Sequence, residues 1–144
     1  MTDILFDEGN FFVGYVKKTR VHQIVIRKDA VESFSDRSEL LIFQDYLKTI
    51  ETIFKTNSNI YLSVNLDNCP FFSLGDVKLH VHCLKKLKEE INQSLVCTAI
   101  ILSGKISSFL FNMFIKAYGK PEKPIRLCKT QTEVETYFKN FNKN

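Results

Sequence analysis

Three side chains of types that bind zinc lie within four residues of one another, in the segment Leu79-His80-Val81-His82-Cys83. Imidazole and thiolate are preferred ligands of Zn²⁺. On a helix, residues three or four apart share a face, so His80 and Cys83 would lie together while His82 points elsewhere. No third and fourth ligands follow at the usual intervals. The sequence therefore predicts no metal site, and it indicates no cofactor.

The same segment contains the residue types of thiol catalysis. A cysteine nucleophile needs an adjacent base and a group that orients the base. His80 could be the base for Cys83, and Asp76, one helical turn earlier, could orient His80. The alternative is structural, with His80 at the border of the core and His82 in solvent. We favour this alternative and expect no catalytic residues and no enzyme.

A second candidate is Gly104-Lys105-Ile106-Ser107, which ends like a phosphate-binding loop. That loop requires a glycine five residues before Gly104, where this chain has Ala99. What remains is a helix start at which Lys105, Ser107 and Ser108 form either a modest anion site or a helix cap, and we favour the cap.

Length and composition bound the possibilities. The chain has 144 residues, 44% hydrophobic and 25% charged, as in ordinary globular proteins, so residues 1–144 are expected to form a single domain. The net charge is +4 and the basic residues are scattered, which argues against a nucleic-acid partner. The acidic start gives no sign of a signal peptide, and a cytoplasmic location is expected. Four cysteines without C-x-x-C spacing are interpreted as packing residues: Cys69, Cys83, Cys97 and Cys128.

Strand and helix patterns alternate along the chain. Two β-prone segments around a polar turn, Phe11–Val16 and Val21–Arg27, predict an N-terminal hairpin. The run Ile60–Leu66 is continuously β-prone, which suits a central strand covered on both faces. The other predicted strands are Val96–Leu102 and Ile125–Lys129.

Four helices are predicted between and after these strands. They run from the capping pair Asp36 and Glu39 to about Thr56, from Ser73 to about Gln93, from Lys105 to about Tyr118, and from Thr132 to about Asn140 behind the capping pair Thr130 and Glu133. Such alternation implies parallel strands joined by right-handed crossovers. The predicted fold is α/β, a single domain with a mixed, mostly parallel five-stranded sheet, an N-terminal hairpin and about four helices.

Partners of an open α/β sheet usually meet the loops that leave the carboxyl ends of the strands. One such loop contains Asn65-Leu66-Asp67-Asn68-Cys69 and then Phe71-Phe72-Ser73-Leu74-Gly75-Asp76-Val77. These segments resemble the centre of the STAS domain, the fold of anti-sigma-factor antagonists, where Asp-Leu-Ser-Gly-Val leads through Phe-Ile to Asp-Ser-Ser-Gly-Leu. The order of the flanking elements resembles that family over most of the chain. The resemblance implies a regulatory module that binds another protein through Asp67, Asn68, Ser73, Gly75, Asp76 and the following helix.

The resemblance departs from the family at the switch residue. In the STAS family a partner kinase phosphorylates the serine that follows the loop aspartate, whereas this chain has Ser73 in place of the aspartate and Leu74 in place of the serine. We therefore expect the usual switch to be absent. Ser73 remains a possible phosphoacceptor, because a helix N-terminus favours a phosphoryl group. The favoured interpretation is that Ser73 is the N-cap and accepts the backbone N–H of Asp76.

The helix predicted from Lys105 is apolar on two faces. Its expected core stripe is Ile106, Phe109, Leu110, Met113, Phe114 and Ala117, and a second stripe is Phe111, Ile115 and Tyr118. Such a helix is either covered on both faces or presents a patch to a ligand, a membrane or a second subunit. The lipid-exchanging CRAL-TRIO domain shares the fold type of the resemblance. It suggests, as an alternative function, a small carrier or surface binder of an apolar ligand or lipid. Because the chain is short for a lipid-enclosing domain, we favour homodimerisation as the function of this helix.

Overall fold

The computed structural model describes residues 1–27, 37–67, 69, 74–102, 107–119 and 121–142. The strands in this part of the chain are β1 (Thr2–Glu8), β2 (Phe11–Val16), β3 (Val21–Ile26), β4 (Ile60–Asn65), β5 (Leu95–Ile101) and β6 (Ile125–Cys128). The helices are α1 (Arg37–Thr56), α2 (Leu74–Lys86), α3 (Lys88–Ser94), α4 (Ser107–Tyr118) and α5 (Gln131–Asn142). The α/β class is confirmed. The predicted numbers of five strands and about four helices are wrong, since the described residues form six strands and five helices.

The strand that the sequence pattern missed is β1. Three of its residues, Asp3, Asp7 and Glu8, are acidic, a residue class depleted in strands. β1 pairs antiparallel with β2 across a tight turn in which Gly9 has a φ of +56°. It lies at the edge of the sheet, where only Phe6 packs against the core, so it shows little of the apolar pattern that identifies buried strands.

The additional helix arises from a break in a predicted one. The apolar spacing after Ser73 predicts one helix to about Gln93, whereas the structure divides this region into α2 and α3 at Leu87. The backbone N–H of Leu87 donates to the carbonyl of Leu84 at 3.0 Å, which is the tighter i to i−3 turn. Leu87 and Ile91 are nevertheless buried, so the predicted apolar stripe reaches the core across the break.

The six strands lie in the sheet in chain order, from β1 to β6. β1, β2 and β3 are antiparallel neighbours, whereas β3, β4, β5 and β6 are parallel. Each parallel strand is therefore added on the same side of the previous one, and right-handed crossovers of this kind place their helices on one face of the sheet. β4 lies between β3 and β5, as predicted for a central strand.

Side chains alternate between the two faces along each strand. The first face carries the larger core cluster, in which Ile60 of β4 packs with Phe43 and Ile50 of α1 and with Ile91 of α3. The second face carries a smaller cluster of β5, β6 and α5, including Cys97, Cys128, Val134 and Phe138. Helices α1 to α3 therefore cover the first face, and α5 packs on the second.

Candidate functional site

A cavity of about 160 Å³ lies between the first face of the sheet and the helices. The cavity leaves Leu62 and Val64 of β4 only half-buried, although both residues lie on an interior strand and face helices. The lining also includes Thr98 and Ile100 of β5, which are their register partners. The sheet and the helices are thus in incomplete contact at the centre of the sheet.

Helix α4 closes part of this cavity. Phe111, Phe114 and Tyr118 line it, and the rings of Phe114 and Tyr118 are stacked, with centroids 5.9 Å apart and an angle of 5° between their planes. Ile115, the third residue of the predicted patch, is half-buried and is not among the lining residues. Phe111 and Tyr118 therefore face the cavity rather than form an exterior patch.

The predicted core stripe of α4 needs a correction at Phe109, whose side chain is 64% exposed. The apolar pattern identified two faces of α4 but not which of them faces the sheet. Phe114, from the predicted core stripe, and Phe111, from the second stripe, both line the cavity. The face turned towards the sheet therefore lies between the two predicted stripes.

The polar side chains inside the cavity are uncharged at neutral pH. Tyr46 of α1 is buried and stacks on Phe11, with ring centroids 4.3 Å apart, and burial raises the pKa of its phenol. Burial lowers the pKa of His80 to about 4, so its imidazole is neutral. Both side chains line the cavity, together with the hydroxyl-bearing Thr98. The interior of the cavity thus contains aromatic and aliphatic surface and a few neutral polar groups.

Charged residues among the lining lie at one end of the cavity, which we call the mouth. The mouth consists of Asn92, Tyr118, Pro121, Glu122 and Lys123. These residues precede Leu95 and Ile125, the first residues of β5 and β6, so the mouth is at the amino-terminal edge of the parallel strands. Glu122 is exposed and Lys123 is half-buried.

The loop predicted to bind a partner lies at the opposite, carboxyl-terminal edge. Asp67 and Gly75 are exposed, and the backbone N–H of Asp67 donates to Oδ1 of Asn65 at 2.9 Å. Asp76 is only 2% exposed, so its inclusion in a recognition surface is corrected: the carboxylate lies in the first turn of α2, where the helix dipole favours an acid, but inside the protein. Asn68 and the candidate phosphoacceptor Ser73 lie outside the described residues, as do Asp36, Gly104, Lys105 and Ile106.

The segment with candidate zinc ligands is part of α2. His80 is buried and His82 is exposed, as the structural interpretation predicted. Burial raises the pKa of the half-buried Cys83 thiol, with a smaller opposite effect from Lys86, which keeps the thiol protonated at neutral pH. No group of three or more potential metal ligands occurs in the ranges that the structure describes. This environment does not activate Cys83 as a nucleophile.

Sequence reasoning missed three strand residues of the cavity, Leu62, Val64 and Thr98. It also missed the two charged residues at the mouth, Glu122 and Lys123. Each of them fits its local pattern as an ordinary strand or turn residue, so no local signal distinguishes it. The one usable signal was the apolar excess of α4, which did identify Phe111 and Tyr118.

None of the described helices combines the length and the apolar composition needed to cross a bilayer. Comparison with known proteins gives no match to this chain among family models, curated proteins or solved structures.

Proposed function

We propose that this chain is a non-catalytic binding module that holds a small apolar ligand in the cavity beneath α4. The observation that carries the proposal is the incomplete burial of Leu62 and Val64 at the centre of the sheet, beside a cavity of about 160 Å³. Protein interiors are normally packed with few voids larger than a water molecule. A cavity of this size, lined mainly by apolar side chains, is therefore an unusual and specific feature.

The size of the cavity sets the size of the ligand. An engineered cavity of about 150 Å³ lined by Leu, Ile and Phe stays free of water and binds benzene. The lining here is of the same character, with Ile50, Leu62, Ile100 and Phe111 among its residues. A ligand with an apolar body of about six carbon atoms fits this space.

The test is a titration with benzene, followed by the backbone amide signals in NMR spectra and by thermal unfolding. We expect shifts of signals from β4, β5 and α4, and a higher melting temperature, because a ligand that binds only the folded state stabilises it. In Val64→Phe the new ring fills the cavity, so binding should be lost while the chain remains folded. The absence of both effects in the unsubstituted chain would contradict the proposal.

Val25→Phe is a matched control. Val25 lies on β3 beside β4 and is also half-buried. Its neighbour Ile24 pairs with Val64 and shares the first face with it. Because side chains alternate along a strand, the side chain of Val25 points to the second face. This variant introduces the same ring at the same level of the sheet and should still bind benzene. Loss of binding in both variants would indicate a general effect on folding rather than a filled cavity.

A second candidate function is the protein-interaction module that the STAS resemblance implies. Its support in the structure is the exposure of Asp67 and Gly75 at the carboxyl-terminal edge of the sheet, where partners of α/β proteins commonly bind. The variant Gly75→Arg should lose a copurifying protein with an unchanged circular dichroism spectrum, whereas Lys116→Glu on α4 should retain it. Equal recovery of that protein with both variants would exclude this edge as the interface.

A further inference from the structure

The cavity mouth has an electrostatic character that its apolar interior lacks. α3 ends at Ser94 and α4 ends at Tyr118, and both helix ends lie at the mouth because each helix returns the chain to the start of a parallel strand. The C-terminal end of a helix carries a partial negative charge from its unpaired carbonyl groups. Two such ends at one opening favour a cation and disfavour an anion.

Side chains at the mouth add to the negative electrostatic potential of the two helix ends. The carboxylate of Glu122 is exposed at the rim, and its proximity contributes, after burial, to the raised pKa of Tyr118. The ring of Tyr118 lines the opening beside Phe114, on which it stacks, and aromatic rings attract ammonium groups. Asn92 also lines the mouth, and an amide side chain carries an oxygen that can accept a hydrogen bond.

Among the described residues that line the mouth, Lys123 opposes this arrangement. Lys123 is half-buried and lines the mouth, and it forms no ion pair with a carboxylate of the described residues. Its four-carbon stem can cover apolar lining while the ammonium group reaches water. The charge of Lys123 is then solvated, whereas the helix ends and the ring of Tyr118 are fixed parts of the opening.

We propose that the ligand is a small amine in its ammonium form, with an apolar body of about six carbons in the cavity and the charged nitrogen at the mouth. This proposal rests on the proposed function and adds the head-group chemistry to it. Tyr118 and Glu122 would contact the ammonium group, and Leu62, Val64 and Phe111 would contact the body.

The experiment compares three probes that share one chain length: hexan-1-amine, hexan-1-ol and hexanoate. At pH 7 the amine is almost fully protonated, because alkylamines resemble the lysine side chain, whose pKa is about 10.4. NMR titrations at low salt should give the tightest binding for the amine, then the alcohol, then the carboxylate, with steps of about threefold, the scale of a solvent-accessible ion pair. A carboxylate that binds best, or an alcohol that binds as tightly as the amine, would overturn the ammonium proposal while leaving the cavity function intact.

Substitutions at the two rim charges should act in opposite directions. Glu122→Gln should weaken binding of the amine about threefold, and Lys123→Gln should strengthen it, whereas neither should change binding of the alcohol. Lys116→Gln is the control, because Lys116 is exposed on the last turn of α4 and does not line the cavity. An equal response of amine and alcohol to Glu122→Gln would overturn the assigned role of that carboxylate.

Val64→Phe separates the failure of this inference from the failure of the proposed function. Amine binding that persists in Val64→Phe would lie outside the cavity and would overturn the inference. If none of the three probes and no benzene binds the unsubstituted chain, the proposed function itself fails.

Discussion

The imidazole of His80 lies 3.3 Å, measured from Nδ1, from the backbone carbonyl oxygen of Asp76, one turn earlier in α2. This geometry assigns the proton to Nδ1, which donates to the carbonyl. The ring also meets Phe43 edge-on, with centroids 4.8 Å apart. His80 is therefore a packed and neutral component of the core at the wall of the cavity. We expect its protonation at low pH to destabilise the fold.

Replacement of His80 should remove part of the acid sensitivity of the fold. Burial lowers its folded-state pKa from 6.5 to about 4, so the unfolded chain takes up this proton first as the pH falls. The free energy of unfolding should therefore decrease between pH 6.5 and pH 4, by about 3 kcal/mol from this residue at the lower limit. Urea unfolding of His80→Asn, whose amide can still donate to the Asp76 carbonyl, should show a correspondingly flatter profile. The exposed His82→Asn is the control, and an unchanged pH profile in His80→Asn would contradict the prediction.

Phe109 and Phe114 of α4 differ in exposure, so their replacement should change the stability of the fold by different amounts. Phe109 is 64% exposed, so Phe109→Ser should change the free energy of unfolding by no more than about 0.5 kcal/mol. Phe114 is half-buried and stacks on Tyr118, so Phe114→Ser should lower it by about 2 kcal/mol. Chemical denaturation of the two variants measures both values. Equal losses of unfolding free energy would contradict the orientation of α4 in which Phe114 lines the cavity and Phe109 is exposed.

The sequence predicted those parts of the fold that depend on local patterns. The interior position of β4 followed from a continuous β-prone run, and the burial of Val77, Val81 and Ile91 followed from helical spacing. β1 was missed because an edge strand packs few side chains and so shows little apolar pattern. The break at Leu87 leaves the apolar spacing unchanged, so periodicity could not locate it.

The candidate site was predictable only in part, for a different reason. The two apolar faces of α4 could be read from the sequence, and Phe111 and Tyr118 do line the cavity. The cavity itself depends on the spacing between α4 and the sheet, which results from long-range packing of residues distant in the chain. Leu62 in a filled core and Leu62 beside a cavity have the same sequence pattern.

Removal of the α5 N-cap should weaken the fold measurably. The backbone N–H of Glu133 donates to Oγ1 of Thr130 at 3.2 Å, as the predicted capping pair requires. The carboxylate of Glu133 accepts the N–H of Lys129 at 2.8 Å, one residue beyond the usual partner. Thr130→Ala should lower the free energy of unfolding by about 1 kcal/mol, measured with urea. Thr132→Ala is the matched control, since Thr132 is exposed within the helix, and an equal effect of both substitutions would count against the cap.

Alkylation should distinguish packing cysteines from a reactive one. Burial raises the pKa of Cys97 to about 12 and also raises that of Cys83, and the thiolate is the form that reacts with iodoacetamide. In the folded chain at pH 7.5 we expect Cys83, which is half-buried, to react at least about tenfold more slowly than in urea. Cys97 and Cys128, both fully buried, should react only after unfolding. Peptide mass mapping over time measures each rate, with Cys83→Ser to confirm the assignment. If Cys83 instead reacted faster in the folded chain than in urea, α2 would have to supply an activating base, and the assignment of a non-catalytic module would have to be withdrawn.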